Sequence, residues 1–261
     1  MAFSTQKSNR SQSQAPQGLG ILAGIGLVVS LASVLLMVFS GLGTRWGWWG
    51  FRDGLSYFKD SVFVAGAGLV LSLVALIWAL AARSKSGKVP STVGLAVGLL
   101  IVGNFLSWLH QAQNVPRIHD ITTDTVNPPV FEAVLALRQD ALNPAVYGGP
   151  SIADLQKKGY PDIQPLLLNE PPDKAWQACL DTAVKMGWAI DATNESQGRI
   201  EATDTTFWFG FKDDIVVRVL PQGTGSRVDV RSVSRVGLSD VGTNAKRIRR
   251  YLAQVRSVVG A

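Results

Sequence analysis

At 261 residues the chain has room for a membrane bundle plus one compact domain, or for two globular domains. Hydrophobic residues make up 47% and charged residues 17%, and the scarcity of charge is concentrated before His110, the pattern of segments that live in a bilayer. The net charge of +6 does not mark a nucleic-acid partner: the first 111 residues hold 8 basic and 2 acidic side chains, whereas Ala112 onward holds 17 of each, so the surplus belongs to membrane flanks.

Residues 1–18 are polar and predict a disordered cytoplasmic tail. They lead into a transmembrane region over 19–110, with three uncharged apolar runs at 19–43, 61–82 and 90–109. Runs of about 20 to 25 residues span roughly 30 Å of hydrocarbon as helices. The first run exceeds a signal-peptide core of about 7 to 15 apolar residues, so it reads as an anchor that is kept. The tail carries Lys7 and Arg10, and the tight loop between the second and third runs carries Arg83, Lys85 and Lys88. The loop between the first two carries Arg45, Arg52 and Lys59, diluted by Asp53 and Asp60. Five basic residues against three put the N-terminus in the cytoplasm. Three crossings then put the C-terminal domain outside, which in a Gram-negative inner (cytoplasmic) membrane means the periplasm.

Trp46, Trp48, Trp49, Phe51, Tyr57 and Phe58 crowd the first loop and suit a short interfacial helix. The pairs Gly20/Gly24 and Gly94/Gly98 permit close helix contact, and Asn104, the one amide within a run, suggests a hydrogen bond across helices. With no acidic, basic or histidine side chain inside any run, a proton or ion path lacks its usual parts.

Between Pro116 and Pro172 lie nine of the twelve prolines, interspersed with Phe131, Tyr147, Tyr160 and Leu166 to Leu168. Proline this dense blocks long regular elements apart from one helical stretch near 131–142, so 111–172 reads as an extended strap lying on the folded domain. From Asp173 the pattern becomes regular. Trp176, Cys179/Leu180 and Ala183/Val184 recur at helical spacing, and Gly187 supplies a stop. Four strands follow, at 188–193, 199–205, 215–220 and 227–234, separated by hairpin residues at 194–198 and 221–225. Their alternation implies one buried and one wet face. A last helix over 244–259 places Ile248, Leu252, Val255 and Val259 opposite Lys246, Arg249, Arg250 and Arg256. The expected architecture is therefore a three-span α-helical membrane bundle followed, over 173–261, by a two-layer α+β domain: an antiparallel four-stranded sheet with two helices packed on one face.

The most distinctive residues are Phe207, Trp208, Phe209, Gly210, Phe211, Lys212, Asp213 and Asp214, and the later run Asp229, Val230, Arg231, Ser232, Val233, Ser234, Arg235, Val236, Gly237, Leu238, Ser239, Asp240, Val241, Gly242, Thr243 and Asn244. Together with Ile118, His119, Asp120, Ile121, Thr122, Thr123 and Asp124 and with Asn127, Pro128, Pro129, Val130 and Phe131, they closely resemble the bacterial family catalogued as Domain of Unknown Function 1499, over 117–252. Some of its members carry apolar spans ahead of the domain. The family brings no established reaction, so the residues must be read on their own chemistry.

Asp213, Asp214, Arg231, Ser232, Ser234, Arg235, Ser239, Asp240 and Asn244 gather at one strand end, turn and helix start. One reading is structural, with Asp240 or Asn244 capping the last helix and Arg235 paired with Asp213 or Asp214. The other is an anionic-ligand pocket at Arg231 and Arg235. A second polar group, His119, Asp120 and Asp124, sits in the strap. A serine hydrolase through Ser234 or Asp240 needs a base in reach, and the two histidines, His110 and His119, offer little. Adjacent Asp213 and Asp214 point to opposite sides of a strand. The single Cys179 gives no disulfide and no zinc set, and no cofactor or metal motif appears. The partners expected are the lipid bilayer and either other membrane proteins or further copies of the chain. The function expected is that of a non-catalytic accessory or assembly subunit of a membrane complex.

Overall fold

A computed structural model of the chain describes residues 17–260, and these separate into two compact units that divide between Ser107 and Trp108. The tail predicted over 1–18 falls outside the described residues up to position 16.

The first unit is built from α1 (Gln17–Arg45), α2 (Phe51–Ala81) and the greater part of α3 (Lys88–Asn114). All three are long and apolar enough to cross a membrane. Each overruns the sequence estimate, α2 by ten residues at its start, because Phe51, Tyr57 and Phe58 continue the helix instead of forming a separate interfacial segment. Trp46, Trp48 and Trp49 cluster at the turn, with the indole of Trp49 donating to the Ser40 carbonyl at 3.2 Å.

Gly26 and Ser30 on α1 mesh with Ser72 and Gly68 on α2. A Cβ at Gly26 would sit 2.9 Å from the Ser72 amide nitrogen, and one at Gly68 would sit 2.8 Å from that of Ser30. Such contact is available only to small residues, and it is how helices associate where lipid offers no hydrophobic drive. Gly94 and Gly98 do the same for α3, against Leu27 and Ser72 and against Leu69 and Ala65, and the Ser30 hydroxyl donates to the Gly94 carbonyl at 2.9 Å. Gly24 meets nothing within 4 Å, so the Gly20/Gly24 pair is not a packing seam within this bundle. Asn104 is exposed on α3, and among the described residues it makes no cross-helix bond of the kind expected.

The second unit holds one antiparallel sheet. Its backbone is the meander β3 (Ala189–Asn194), β4 (Arg199–Thr205), β5 (Lys212–Gln222) and β6 (Gly225–Ser234). The hairpins turn at Gly198 and Gly223, both at positive φ. The expectation of four strands is corrected to six: β1 (Asp120–Thr122) and β2 (Leu166–Leu168) both pair with β6, at Arg231–Val233 and Ser226–Val228. Three-residue strands carry no readable alternation, and both come from the proline-dense strap. In place of a helix near 131–142 the strap forms a 3-10 turn (Ala133–Leu137), and further on the helix α4 (Pro150–Gly159). Gln156 on α4 donates to and accepts from the backbone of Thr122 at 2.6 and 2.9 Å, closing the free edge of β1.

Helices α5 (Pro172–Lys185) and α6 (Thr243–Val259) pack on one sheet face. Trp176, Cys179 and Ala183 from α5 and Ala245, Ile248, Tyr251 and Val255 from α6 cover Ile215, Val217, Val219, Val228 and Val230. Tyr251 stacks on Trp188 at 4.7 Å, and its hydroxyl donates to the Cys179 carbonyl at 2.8 Å.

The opposite face is not wet. Phe131 and Val134 from the strap pack on Val216 and Val233, and beneath them Glu201, Asp214, Asp229 and Arg231 are all 0–1% exposed. Burying charge costs several kcal/mol per ion unless it is paired. The strap supplies part of the pairing.

Candidate functional site

The polar residues singled out by the sequence divide between the two faces of the sheet. Asp213 and Asp214 begin β5 and point to opposite sides of it, as consecutive strand residues must.

On the helix face the centre is Arg247, a buried arginine on the inner side of α6. Its guanidinium donates to Asp213 at 2.6 Å, Asp204 at 2.8 Å, the Ser232 hydroxyl at 3.1 Å and, closer still, the Asn244 side-chain carbonyl. Burial works against its charge, and Asp213 and Asp204 outweigh it, leaving the pKa above the ordinary arginine value. The Ser232 hydroxyl donates to the same Asn244 oxygen at 2.7 Å. The Asn244 amide donates to the Ser234 hydroxyl and to the His119 carbonyl, each at 3.0 Å. Asp240 accepts the backbone N–H groups of Gly242 at 2.8 Å and Asn244 at 2.7 Å, so its carboxylate caps the start of α6. Burial nevertheless holds its pKa above the usual carboxylate value. The Ser239 hydroxyl accepts the Val241 N–H at 3.2 Å within the turn.

On the strap face four ion clusters lie side by side. Asp214 receives Arg235 through Nε at 3.0 Å and Nη2 at 2.7 Å, together with Arg138 from the strap, and lies 3.0 Å from the Thr203 hydroxyl. Arg235 also donates to the Leu137 carbonyl at 2.7 Å. Arg231 grips Asp120 with two bonds of 2.9 and 2.7 Å, donates to the carbonyls of Pro129 and Ala145, and lies over the rings of Phe131 and Tyr147. Burial, with the Asp120 charge, pushes the Tyr147 hydroxyl up to about 12. At the far end Arg218 and Arg227 share Asp229 with Asp124, which also accepts the N–H groups of Val126 and Asn127. Glu201, fully buried, accepts N–H groups from Glu132, Ala133 and Val134 at 2.9–3.1 Å and pairs with Arg199.

The corner is thus brought together in two halves. Asp213, Ser232, Ser234, Asp240 and Asn244 share one network, while Asp214 and Arg235 share another on the far face, and Arg231 belongs to a third pair. The strap trio is dispersed: Asp120 and Asp124 serve different arginines, and the contact His119 makes with the corner is through its carbonyl. Arg247, Glu201, Arg138 and Asp204 escaped the sequence reading. Arg247 is flanked by basic residues that do face outward, so only its phase on the helix, one position before Ile248, distinguishes it.

Chemically, most of these groups satisfy one another, although the buried Arg218 Nε and Tyr147 hydroxyl find no hydrogen-bond partner among the described residues. Four of the five N–H groups of Arg231 are bonded within the fold, and the hydroxyls of Ser232 and Ser234 meet an amide instead of an imidazole. Among the described residues, no group of three or more His, Cys, Asp or Glu is placed to hold a metal ion. The hairpin between β4 and β5 contains the aromatic part of the sequence signature: Phe209 is buried and stacks on Phe211 at 5.1 Å, while Phe207 projects.

A family model described as "Protein of unknown function (DUF1499)" matches residues 120–255, the stretch from β1 into the last turns of α6. No curated protein matches the chain.

Proposed function

The chain belongs to the DUF1499 family, and from that premise we propose that it is a non-catalytic membrane protein whose domain recognises another protein, as an accessory or assembly subunit of a membrane complex. The observation that carries this reading is the outer surface of the strap. Val126, Val130, Leu135, Leu137, Leu142 and Val146 are all exposed, within 21 residues of one another. The same segment is fastened from beneath by Arg231, Asp214, Glu201 and Arg218. A run of aliphatic side chains on a segment anchored that firmly is a preformed contact face, because little ordering entropy is lost when it is covered. Asn104, exposed on an otherwise apolar helix, supports the same reading, since an amide facing lipid gains from a bonding partner on a neighbouring helix.

The alternative of an anionic ligand at Arg231 and Arg235 meets guanidiniums already bonded to Asp120 and Asp214. The charge balance of the loops supports a cytoplasmic N-terminus and a periplasmic domain in a bacterial inner membrane.

Two measurements test the proposal. A C-terminal alkaline phosphatase fusion is active and a C-terminal fluorescent-protein fusion is dark; the reverse pattern contradicts the orientation. Purification of the full chain in mild detergent yields a stoichiometric complex with a second membrane protein or with further copies of itself. A clean monomer, with no crosslinked partner in cells, contradicts the function.

A further inference from the structure

We propose that the end of the domain formed by the β4–β5 hairpin and the turn after β6 rests in the headgroup layer of the bilayer, with aromatic and aliphatic side chains inserted and basic ones on anionic lipid. This surface adjoins the strap at Asn143, whose amide donates to the carbonyls of Ser234 and Gly237, and does not include the exposed aliphatic residues of the strap.

Register places these segments together. Thr205 pairs with Lys212 at the base of the hairpin, Asp213 pairs with Ser234 at the end of β6, and the Arg235 N–H donates to the Lys212 carbonyl at 3.0 Å. The same end receives the segment that opens this unit. Gln111, in the last turn of α3, donates through Nε2 to the Val241 carbonyl at 2.8 Å, and the Asp240 N–H donates to the Ile118 carbonyl at 3.2 Å. Both contacts lie within the compact unit that begins at Trp108, where the apolar run gives way to polar sequence.

At this end Phe207 is 85% exposed and Leu238 is 75% exposed. The hairpin holds Phe207 out by its own geometry: the Thr206 N–H donates to the Phe211 carbonyl at 2.8 Å, the Thr206 hydroxyl accepts the Phe211 N–H at 2.9 Å, and Gly210 takes a positive φ. Around them stand Arg117, Lys212 and Lys246, all exposed. Of the nearby carboxylates, Asp213 and Asp204 pair with Arg247 and Asp240 caps α6. An apolar tip flanked by cations, with these carboxylates engaged within the fold, suits an anionic bilayer surface.

The test uses the full chain in nanodiscs containing phosphatidylglycerol. Phe207→Cys and Leu238→Cys are each spin-labelled, with Leu167→Cys, at the opposite end of β6, as reference; wild type with its buried Cys179 is the unlabelled control. Labels at 207 and 238 collide more with oxygen than with a water-soluble nickel chelate, and the ratio reverses at 167. Charge reversal by Lys212→Glu with Lys246→Glu lowers the ratio at 207 in phosphatidylglycerol discs and leaves it unchanged in phosphatidylcholine discs. A label at 207 and 238 as water-accessible as that at 167, or immobilised and closed to both reagents as against a protein, overturns the proposal. A ratio that ignores the charge reversal in both lipids overturns its electrostatic half.

Discussion

Asp120→Ala isolates the pairing that holds the strap to the sheet. In the native fold the Arg231 guanidinium is 1% exposed, grips Asp120 with bonds of 2.9 and 2.7 Å, and otherwise touches only two carbonyls and the rings of Phe131 and Tyr147. Removing the carboxylate leaves a buried positive charge without its counter-ion, which costs about 3–5 kcal/mol where one partner of a buried pair is deleted. The guanidinium can reach water only if the strap lifts, so that cost falls on strap opening. At about 1.4 kcal/mol per decade it corresponds to an opening constant raised by roughly two to three and a half decades. Hydrogen exchange of the full chain in nanodiscs reads this directly. The N–H groups of Glu132, Ala133 and Val134, bonded to Glu201, and of Asn143, bonded to the Arg235 carbonyl, exchange faster by that factor, while amides at the centre of β5 change less. The double replacement Asp120→Leu with Arg231→Met restores most of the protection, because an apolar pair of similar volume carries no desolvation penalty. Unchanged strap exchange in Asp120→Ala would refute the reasoning.

Glu201→Ala strips the carboxylate from three backbone N–H groups and from Arg199, and lowers the thermal midpoint of the domain by the equivalent of about 3 kcal/mol or more; Glu201→Gln, which keeps an acceptor, loses less. Asp240 has a folded-state pKa raised by burial above 3.8, so the folded form binds its proton more tightly than the unfolded chain does. That contribution is fully present below 3.8 and is lost as the pH rises through the folded value, so the midpoint of the wild type gains on that of Asp240→Asn as the pH falls toward 3.8. A difference independent of pH contradicts this. Burial pushes the Cys179 thiol up to about 12, so a maleimide leaves the native chain unmodified and reacts once denaturant is added; rapid native labelling would show that α5 opens.

The spans, the meander and the two helices on one face were legible because each repeats a pattern over ten or more residues: uninterrupted apolarity, alternation, or a 3.6-residue stripe. The strap strands were not. Asp120–Thr122 and Leu166–Leu168 are three residues each, and their pairing with β6 is decided by tertiary contact. The larger misreading concerned the second face of the sheet. Asp229 and Arg231 alternate with valines as solvent-facing residues would, and nothing local distinguishes a charge exposed to water from one covered by a segment a hundred positions away. The sequence motif singled out these polar residues and the opposite directions that Asp213 and Asp214 take if they lie in a strand. It could not show that the arginines meet three separate sets of carboxylates, nor that Arg247, in a run of exposed basic residues, turns inward.

Site-specific photocrosslinking in cells tests the central claim most directly. A photoreactive phenylalanine analogue is placed singly in the full chain at Leu135, Leu142 and Val146 on the outer face of the strap, and at Leu167 and Val184 elsewhere on the domain, all exposed positions. Strap positions give one discrete protein adduct, the same from each, and the other two give none. Adducts absent from the strap, or equal from every position, would contradict a domain that recognises its partner through that face.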